Sequence, residues 1–180
     1  MKRATTREDD VTAFIALLRA VNVGGTGKLP MSDLKSLCVA AGFTQVRTWI
    51  ASGNVVFESD LGEPEVKAAI ESALRTHAGK PVEVMVRTAA EMAGVLAANP
   101  FPGRAPNRTV AIFLDASPPA DFLNGVSGRD GEEIAPGVRE IYVHYGDGMA
   151  HSKLRIAAAK SGTARNLNTV AKLAEMAKAR

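Results

Sequence analysis

The chain has 180 residues, of which 46% are hydrophobic and 23% are charged, and its formal net charge is +3. This length allows one medium domain or two small ones, and the composition is that of an ordinary soluble globular protein. A single cysteine, Cys38, excludes an internal disulfide, and the small net charge does not by itself predict a nucleic-acid binder. No apolar run approaches the roughly 18 residues of a membrane span, and the N-terminus lacks a signal-peptide pattern, so we expect a cytoplasmic protein without a membrane partner.

Four strands are predicted within residues 12–88. Residues 12–20 and 55–57 are nearly continuous apolar runs, which is typical of central strands that are covered on both faces. Residues 45–50 and 82–87 instead alternate between apolar and polar side chains, as edge strands with one solvated face do. The contrast predicts that the first and third strands lie in the middle of a sheet.

Two helices separate these strands. The first is predicted from Pro30 to Ala41, with proline in its first turn, and the second from Pro64 to about Gly79. The order is then strand, helix, strand, strand, helix, strand. This is the split βαβ pattern of a ferredoxin-like sandwich, so we predict an α+β fold.

The second half of the chain is predicted to be a second subdomain. A helix at 89–98 leads into a proline-rich stretch, so we treat residues 89–108 as a connector and 109–180 as the second α/β subdomain, with 1–11 a disordered tail. Its predicted elements are a strand, a short helix, a hairpin and two C-terminal helices, at 109–114, 119–123, 132–145, 152–160 and 166–179. The order repeats that of the first subdomain without its last strand. We therefore predict two ferredoxin-like subdomains plus C-terminal helices.

A glycine-rich loop after the first strand is the first candidate site. It contains Arg19, Asn22, Gly24, Gly25 and Lys28. Glycine backbones can bring N–H groups close to phosphate oxygens, and a lysine can neutralise their charge. The phosphate-loop motif G-x-x-x-x-G-K-[ST] is incomplete, because Asn22 stands at its first glycine and a leucine follows Lys28. The loop is therefore either a tight turn or a contact for an anionic ligand.

Two further polar segments are candidates. Ser52 and Asn54 flank a glycine in the predicted hairpin turn, and they would add hydroxyl and amide contacts to the loop only if both share one edge of the sheet. Arg165, Asn166 and Asn168 lie at the start of the last predicted helix. Helix capping explains one of these residues, whereas an anion site would use all three.

No complete catalytic constellation or cofactor motif is visible, so no catalytic residue is assigned and no cofactor is predicted. His144 and His151 flank Asp147, but one strand position and loop positions without a further carboxylate make a poor metal-ligand set. Cys38 lies on the apolar stripe of a predicted helix, which favours a core position over a reactive one.

Several blocks of the sequence are similar to a known family. They are Phe14–Gly25, Lys28–Met31, Leu34, Gly42–Phe43, Val46–Thr48, Ser52–Phe57 and Thr163–Val170. In this order they resemble the bacterial family called domain of unknown function 1697. The resemblance implies an α+β protein with ferredoxin-like subdomains and brings no established activity, substrate or catalytic residue. The family pattern has glycine where this chain has Ala20 and an aromatic residue where it has Leu167.

The leading hypothesis from the sequence is a binding protein for an anionic ligand, either a nucleotide or single-stranded nucleic acid. With an aromatic content of 5%, the chain offers few side chains for an extended base-stacking surface. Two alternatives are an enzyme acting on a phosphorylated or carboxylated small molecule, and an interaction module that pairs through an exposed edge strand. The sequence leaves the oligomeric state open. The candidate contacts are Arg19, Asn22, Gly24, Gly25, Lys28, Ser52, Asn54, Arg165, Asn166 and Asn168.

Overall fold

The computed structural model describes residues 11–22 and 28–178, which divide into two units. The first unit comprises the described residues up to Ala89 together with those from Met176 onward, and the second comprises Ala90–Glu175. Each unit contains a four-stranded antiparallel sheet. The chain is an α+β protein, as the apolar patterning predicts.

The first sheet has the strand order β2-β3-β1-β4. The predicted central position of the first and third strands is therefore confirmed. At Ala16, β1 pairs with Val55 of β3 on one side and with Val86 of β4 on the other. The elements are β1 (Thr12–Leu18), α1 (Met31–Ala40), β2 (Thr44–Thr48), β3 (Asn54–Ser59), α2 (Glu63–Ala78) and β4 (Val84–Thr88).

The core of the first unit follows from the alternation of side chains along β1. Phe14, Ala16 and Leu18 join one apolar cluster with helical residues such as Leu34 and Cys38. Burial raises the pKa of the Cys38 thiol to about 12, so this cysteine stays protonated and unreactive at neutral pH. Cys38 is therefore a core residue of α1.

The second sheet repeats the topology of the first. Its order is β10-β5-β8-β7, so that in each unit the first and third strands of the sheet are central. Val110 and Ile112 of β5 pack with Ile141 and Val143 of β8 in a core cluster. The elements after β4 are α3 (Ala89–Ala97), β5 (Thr109–Phe113), β6 (Val126–Ser127), β7 (Glu133–Pro136), β8 (Glu140–His144), β9 (Arg155–Ile156), β10 (Thr163–Asn166) and α4 (Leu167–Lys178).

The prediction that the second half lacks a last strand is wrong, because β10 pairs antiparallel with β5, with Arg165 opposite Ala111. The strand does alternate in burial, since Thr163 and Arg165 are each only 7% exposed and Ala164 is exposed. The buried positions carry a threonine and an arginine rather than apolar residues. Hydrophobic periodicity therefore gave no signal for this strand.

The prediction of a helix at residues 152–160 is also wrong. The segment instead contains β9, which pairs with β6 through Ile156 and Val126, and a short 3-10 turn at Ala157–Ala159. The Ser152 hydroxyl at the start of this segment donates to Oε1 of Glu132 at 2.6 Å. Pairing with β6 and the contact to Glu132 override the local helix propensity of the alanine-rich run. A single C-terminal helix, α4, remains in this part of the described chain.

Candidate functional site

The end of β1 and the turn between β2 and β3 meet at one edge of the first sheet. The backbone N–H of Leu18 donates to the carbonyl of Gly53 at 2.9 Å. Gly53 has φ +86, and a Cβ atom there would lie 2.5 Å from Cγ2 of Val21. Only glycine allows this approach and this backbone conformation. We call the region formed by residues 18–22, 28–29 and 49–54 the clamped edge.

The side-chain amide of Asn22 holds the clamped edge together. Its Nδ2 donates to the carbonyl of Leu29 at 2.9 Å and to that of Ala51 at 2.7 Å, while Oδ1 accepts from the N–H of Leu29 at 2.6 Å. Both amide protons are thus engaged within the chain, and Asn22 acts as a brace. The candidate residues Gly24 and Gly25 fall in 23–27, outside the described residues.

Asn54 supports the turn from inside. Its side chain is fully buried, and Nδ2 donates to the carbonyl of Trp49 at 2.9 Å and to Oγ of Ser52 at 2.8 Å. Its own carbonyl accepts from the N–H of Trp49 at 3.0 Å. These bonds fix the backbone of Trp49. A direct ligand contact is left to Ser52, which is partly exposed.

Left-handed backbone conformations are concentrated at this edge. Ala20, Asn22 and Ile50 have φ values of 53, 55 and 48 degrees, in addition to Gly53. Such conformations cost roughly 1–3 kcal/mol each for residues with a side chain, and a β-branched residue such as Ile50 is a rare occupant. The family pattern described above has glycine where this chain has Ala20, and glycine would adopt a φ of this kind at little cost. Sequence reasoning missed Ile50, because isoleucine gives no signal for positive φ.

The solvent-facing side chains of the clamped edge are two cations and an apolar pair. The Arg19 side chain is 38% exposed, with Nη1 3.7 Å from Oε2 of Glu83, and Lys28 is exposed. Trp49 and Ile50 are 37% and 51% exposed. Both were predicted to lie within a strand, but β2 ends before them and leaves them in the turn. The arrangement can offer positive charge and an aromatic surface to a ligand.

The three remaining candidates lie in the second unit. Arg165 donates from Nη1 to Oγ1 of Thr163 at 2.7 Å and to the carbonyl of Ala164 at 3.0 Å, and burial lowers its pKa to about 10. Asn166 accepts from the N–H of Thr169 at 2.9 Å and so caps the first turn of α4. Asn168 is exposed. Arg165 and Asn166 therefore stabilise the junction between β10 and α4 through hydrogen bonds within this segment.

The second unit also has a cavity of about 390 Å³, which no sequence pattern predicts. Glu132, Tyr145, His151 and Ser152 are among its lining residues. Hydrogen bonds from the Ser152 hydroxyl and from the N–H of Asp130 lower the pKa of Glu132, and burial raises the pKa of Tyr145. The ionised carboxylate thus has two donors within the protein, which suits it to holding the loops around the cavity.

The histidines on either side of Asp147 have different environments. His144 is buried in β8, with Nδ1 2.9 Å from Oγ1 of Thr109, whereas His151 is exposed and lines the cavity. Within the described ranges no group of three or more His, Cys, Asp or Glu side chains could hold a metal ion. No helix in that part of the chain combines the length and apolarity needed to cross a membrane.

Similarity to known proteins extends over most of the chain. A family model described as "Protein of unknown function (DUF1697)" matches residues 11–142. Among solved structures, the conserved bacterial protein SP0830 from Streptococcus pneumoniae is similar, with a TM-score of 0.76 and 22% identity over 93% of this chain and 99% of that one. At this identity the likeness shows a shared fold alone. No curated protein matches this chain.

Proposed function

Because this chain belongs to the DUF1697 family, whose description states no activity, we propose its function from its own residues. We propose that the first unit binds an anionic ligand, of the nucleotide or single-stranded nucleic acid class, at the clamped edge. Arg19 and Lys28 neutralise the anion, and Ser52 adds a hydroxyl contact. The observation that carries this proposal is the presence of two exposed cations on a braced edge beside an exposed tryptophan.

The two cations extend from backbone that internal hydrogen bonds hold in place. The amide of Asn22 fixes the backbone beside Lys28, and the end of β1 fixes the backbone beside Arg19. A preorganised backbone reduces the entropy lost on binding, which favours a ligand site over an ordinary charged surface.

The salt bridge between Arg19 and Glu83 is weak enough for an anionic ligand to compete with Glu83. Its contact to Glu83 spans 3.7 Å between side chains that are 38% and 53% exposed. Exposed ion pairs of this kind contribute about 0–1 kcal/mol. A phosphate or carboxylate that accepts two hydrogen bonds from the guanidinium is a stronger partner, so a ligand can replace Glu83 at small cost.

Backbone strain at the same edge also supports a ligand site. Ala20 and Ile50 adopt left-handed conformations that their side chains disfavour. Strained residues persist only where the surrounding structure enforces them, and they cluster at binding and active sites.

The experiment is a thermal unfolding series with wild type, Lys28→Ala and Lys35→Ala, in the presence of phosphate, nucleotides and short single-stranded DNA. Lys35 is an exposed lysine of α1, so its variant carries the same loss of charge. A ligand at 100 times its dissociation constant adds about 2.7 kcal/mol, which raises the melting temperature by roughly 5–10 °C for a chain of this size. We expect this rise for wild type and Lys35→Ala, and a much smaller one for Lys28→Ala.

Equal rises in all three proteins would contradict the site, because Lys28 would then make no contribution to binding. Equally reduced rises in Lys28→Ala and Lys35→Ala would contradict it as well, because the effect would then reflect overall charge. The absence of any rise across the panel would contradict the function itself.

A further inference from the structure

We infer that the ligand of the clamped edge is a mononucleotide, whose base stacks on Trp49 while its phosphate is bound by Arg19 and Lys28. This inference rests on the proposed function and narrows its ligand class. It excludes both a plain phosphate compound and an extended single strand as the preferred ligand.

The first observation is the exposure of Trp49. Among the described residues it is the most exposed aromatic residue, at 37%. Indole is the largest aromatic surface a protein offers, and base stacking on such side chains is a main source of affinity for nucleotides. A phosphate compound without a base would make no use of this surface.

The second observation is that hydrogen bonds hold the backbone that carries this side chain. The N–H of Trp49 donates to the carbonyl of Asn54, and the carbonyl of Trp49 accepts from the Asn54 amide, at 3.0 and 2.9 Å. Asn54 is itself fully buried. The next residue, Ile50, is 51% exposed and adds apolar surface to the same turn. The backbone that carries the indole is thus ordered before a ligand arrives, which reduces the entropy lost on binding.

The third observation is the separation between the aromatic surface and the cations. β1 and β2 both run antiparallel to β3, which lies between them, so they end at the same edge of the sheet. Arg19 follows the end of β1 and Trp49 follows the end of β2. Two interstrand spacings separate these strand ends by roughly 10 Å. A single nucleotide can span this separation from its base to its phosphate.

The number of contacts distinguishes one nucleotide from a strand. Proteins that bind single-stranded nucleic acids use successive aromatic side chains along a basic groove, with one base on each. The described part of the clamped edge presents a single aromatic residue and two cations. This set suits one base and one phosphate group.

Trp49 is the only tryptophan in the chain, so its fluorescence reports on this site directly. The full chain is titrated with adenosine and uridine 5′-monophosphate, ribose 5-phosphate, inorganic phosphate and an eight-residue oligothymidylate. We expect both mononucleotides to quench Trp49 saturably. Ribose 5-phosphate should bind at least about fivefold more weakly, which is the lower end of what stacking on an aromatic side chain contributes.

Variants separate stacking from charge, with calorimetry as the readout where the fluorophore is removed. Trp49→Leu should weaken mononucleotide binding at least about fivefold and leave phosphate binding unchanged, whereas Trp49→Phe should retain most of the affinity. Leu123→Ala, at an exposed apolar residue of the second unit, is the matched control and should bind as wild type does. Circular dichroism checks that each variant folds.

The outcomes distinguish this inference from the proposed function. Equal binding of ribose 5-phosphate and mononucleotides, or unchanged mononucleotide binding by Trp49→Leu, overturns the stacking and leaves an anion site. Much tighter binding of the oligonucleotide with steep salt dependence points to single-stranded nucleic acid instead. If no compound binds by fluorescence or calorimetry, the proposed function and the inference both fail.

Discussion

The side-chain amide of Asn22 donates a 2.7 Å hydrogen bond to the backbone carbonyl of Ala51, 29 residues further along the chain. The same side chain exchanges two hydrogen bonds with the backbone of Leu29. One residue therefore joins the two ends of the glycine-rich segment and ties them to the hairpin turn. The candidate site depends on this brace, so its strength can be tested first.

Asn22→Ala removes three hydrogen bonds and places alanine at φ 55. Each bond contributes about 0.5–1.5 kcal/mol, so we expect a loss of roughly 2–3 kcal/mol in the free energy of unfolding, measured with urea. Asn22→Gly is the control for the backbone, because glycine tolerates this φ but supplies no amide. If Asn22→Gly were as stable as wild type, the hydrogen bonds would have no role in stability.

Gly53→Ala should lower the stability of the fold more than a glycine substitution that only strains the backbone. The new Cβ would lie 2.5 Å from Cγ2 of Val21 at φ +86, whereas at Gly42, with φ +93, no atom lies within 4 Å. We expect Gly42→Ala to cost about 1–2 kcal/mol for the left-handed conformation, and Gly53→Ala about 1–3 kcal/mol more for the steric overlap. Equal melting temperatures of the two variants would contradict the close packing of the turn against β1.

Ala20→Gly should stabilise the chain, which is unusual for a change to glycine. Ala20 has φ 53, so glycine relieves conformational strain, and we expect a gain of up to about 1 kcal/mol after its larger backbone entropy is subtracted. Ala68→Gly, at an exposed position of α2, is the control and should lose about 1 kcal/mol. A loss of stability in both variants, measured by urea unfolding, would show that Ala20 is not strained.

Ser152→Ala should reduce stability at neutral pH more than at acidic pH. The Ser152 hydroxyl is the largest cause of the lowered pKa of Glu132, whose ordinary value is 4.5. Because the folded-state pKa lies below the unfolded value, the ionised carboxylate stabilises the fold above pH 4.5, and this contribution is lost as pH falls through the folded pKa. Urea unfolding at pH 7 and pH 3 should therefore show a difference from wild type that shrinks in acid. Ser161→Ala, at an exposed serine, should show no such pH dependence.

The amino-acid sequence by itself determined the elements of the first unit and their places in the sheet. The apolar run along β1 reports burial on both faces, and this depends on residues that are close in the chain. β4 lies at the edge of the sheet as predicted, but its predicted solvated face is wrong, because Met85 and Arg87 are each 1% exposed. The same reasoning located the start of α4 to within one residue. It also selected Arg19, Lys28 and Ser52, because polar residues in loops have few structural reasons to be there.

Only the tertiary structure decided which of the polar residues brace the fold. In the sequence, Asn22 and Asn54 resemble ligand contacts. The Asn22 amide instead bonds to the carbonyl of Ala51, which becomes a neighbour only when the end of β1 and the hairpin come together, and the Asn54 amide bonds to Trp49 and Ser52 within the hairpin. β10 was missed for a similar reason, because its buried threonine and arginine lie on a strand that pairs with β5, a distant segment of the chain. The left-handed conformation of Ile50 was missed because isoleucine gives no local signal for positive φ. Local patterns carry the hydrophobic signal along each element, whereas hydrogen bonds between distant segments form only once the chain has folded.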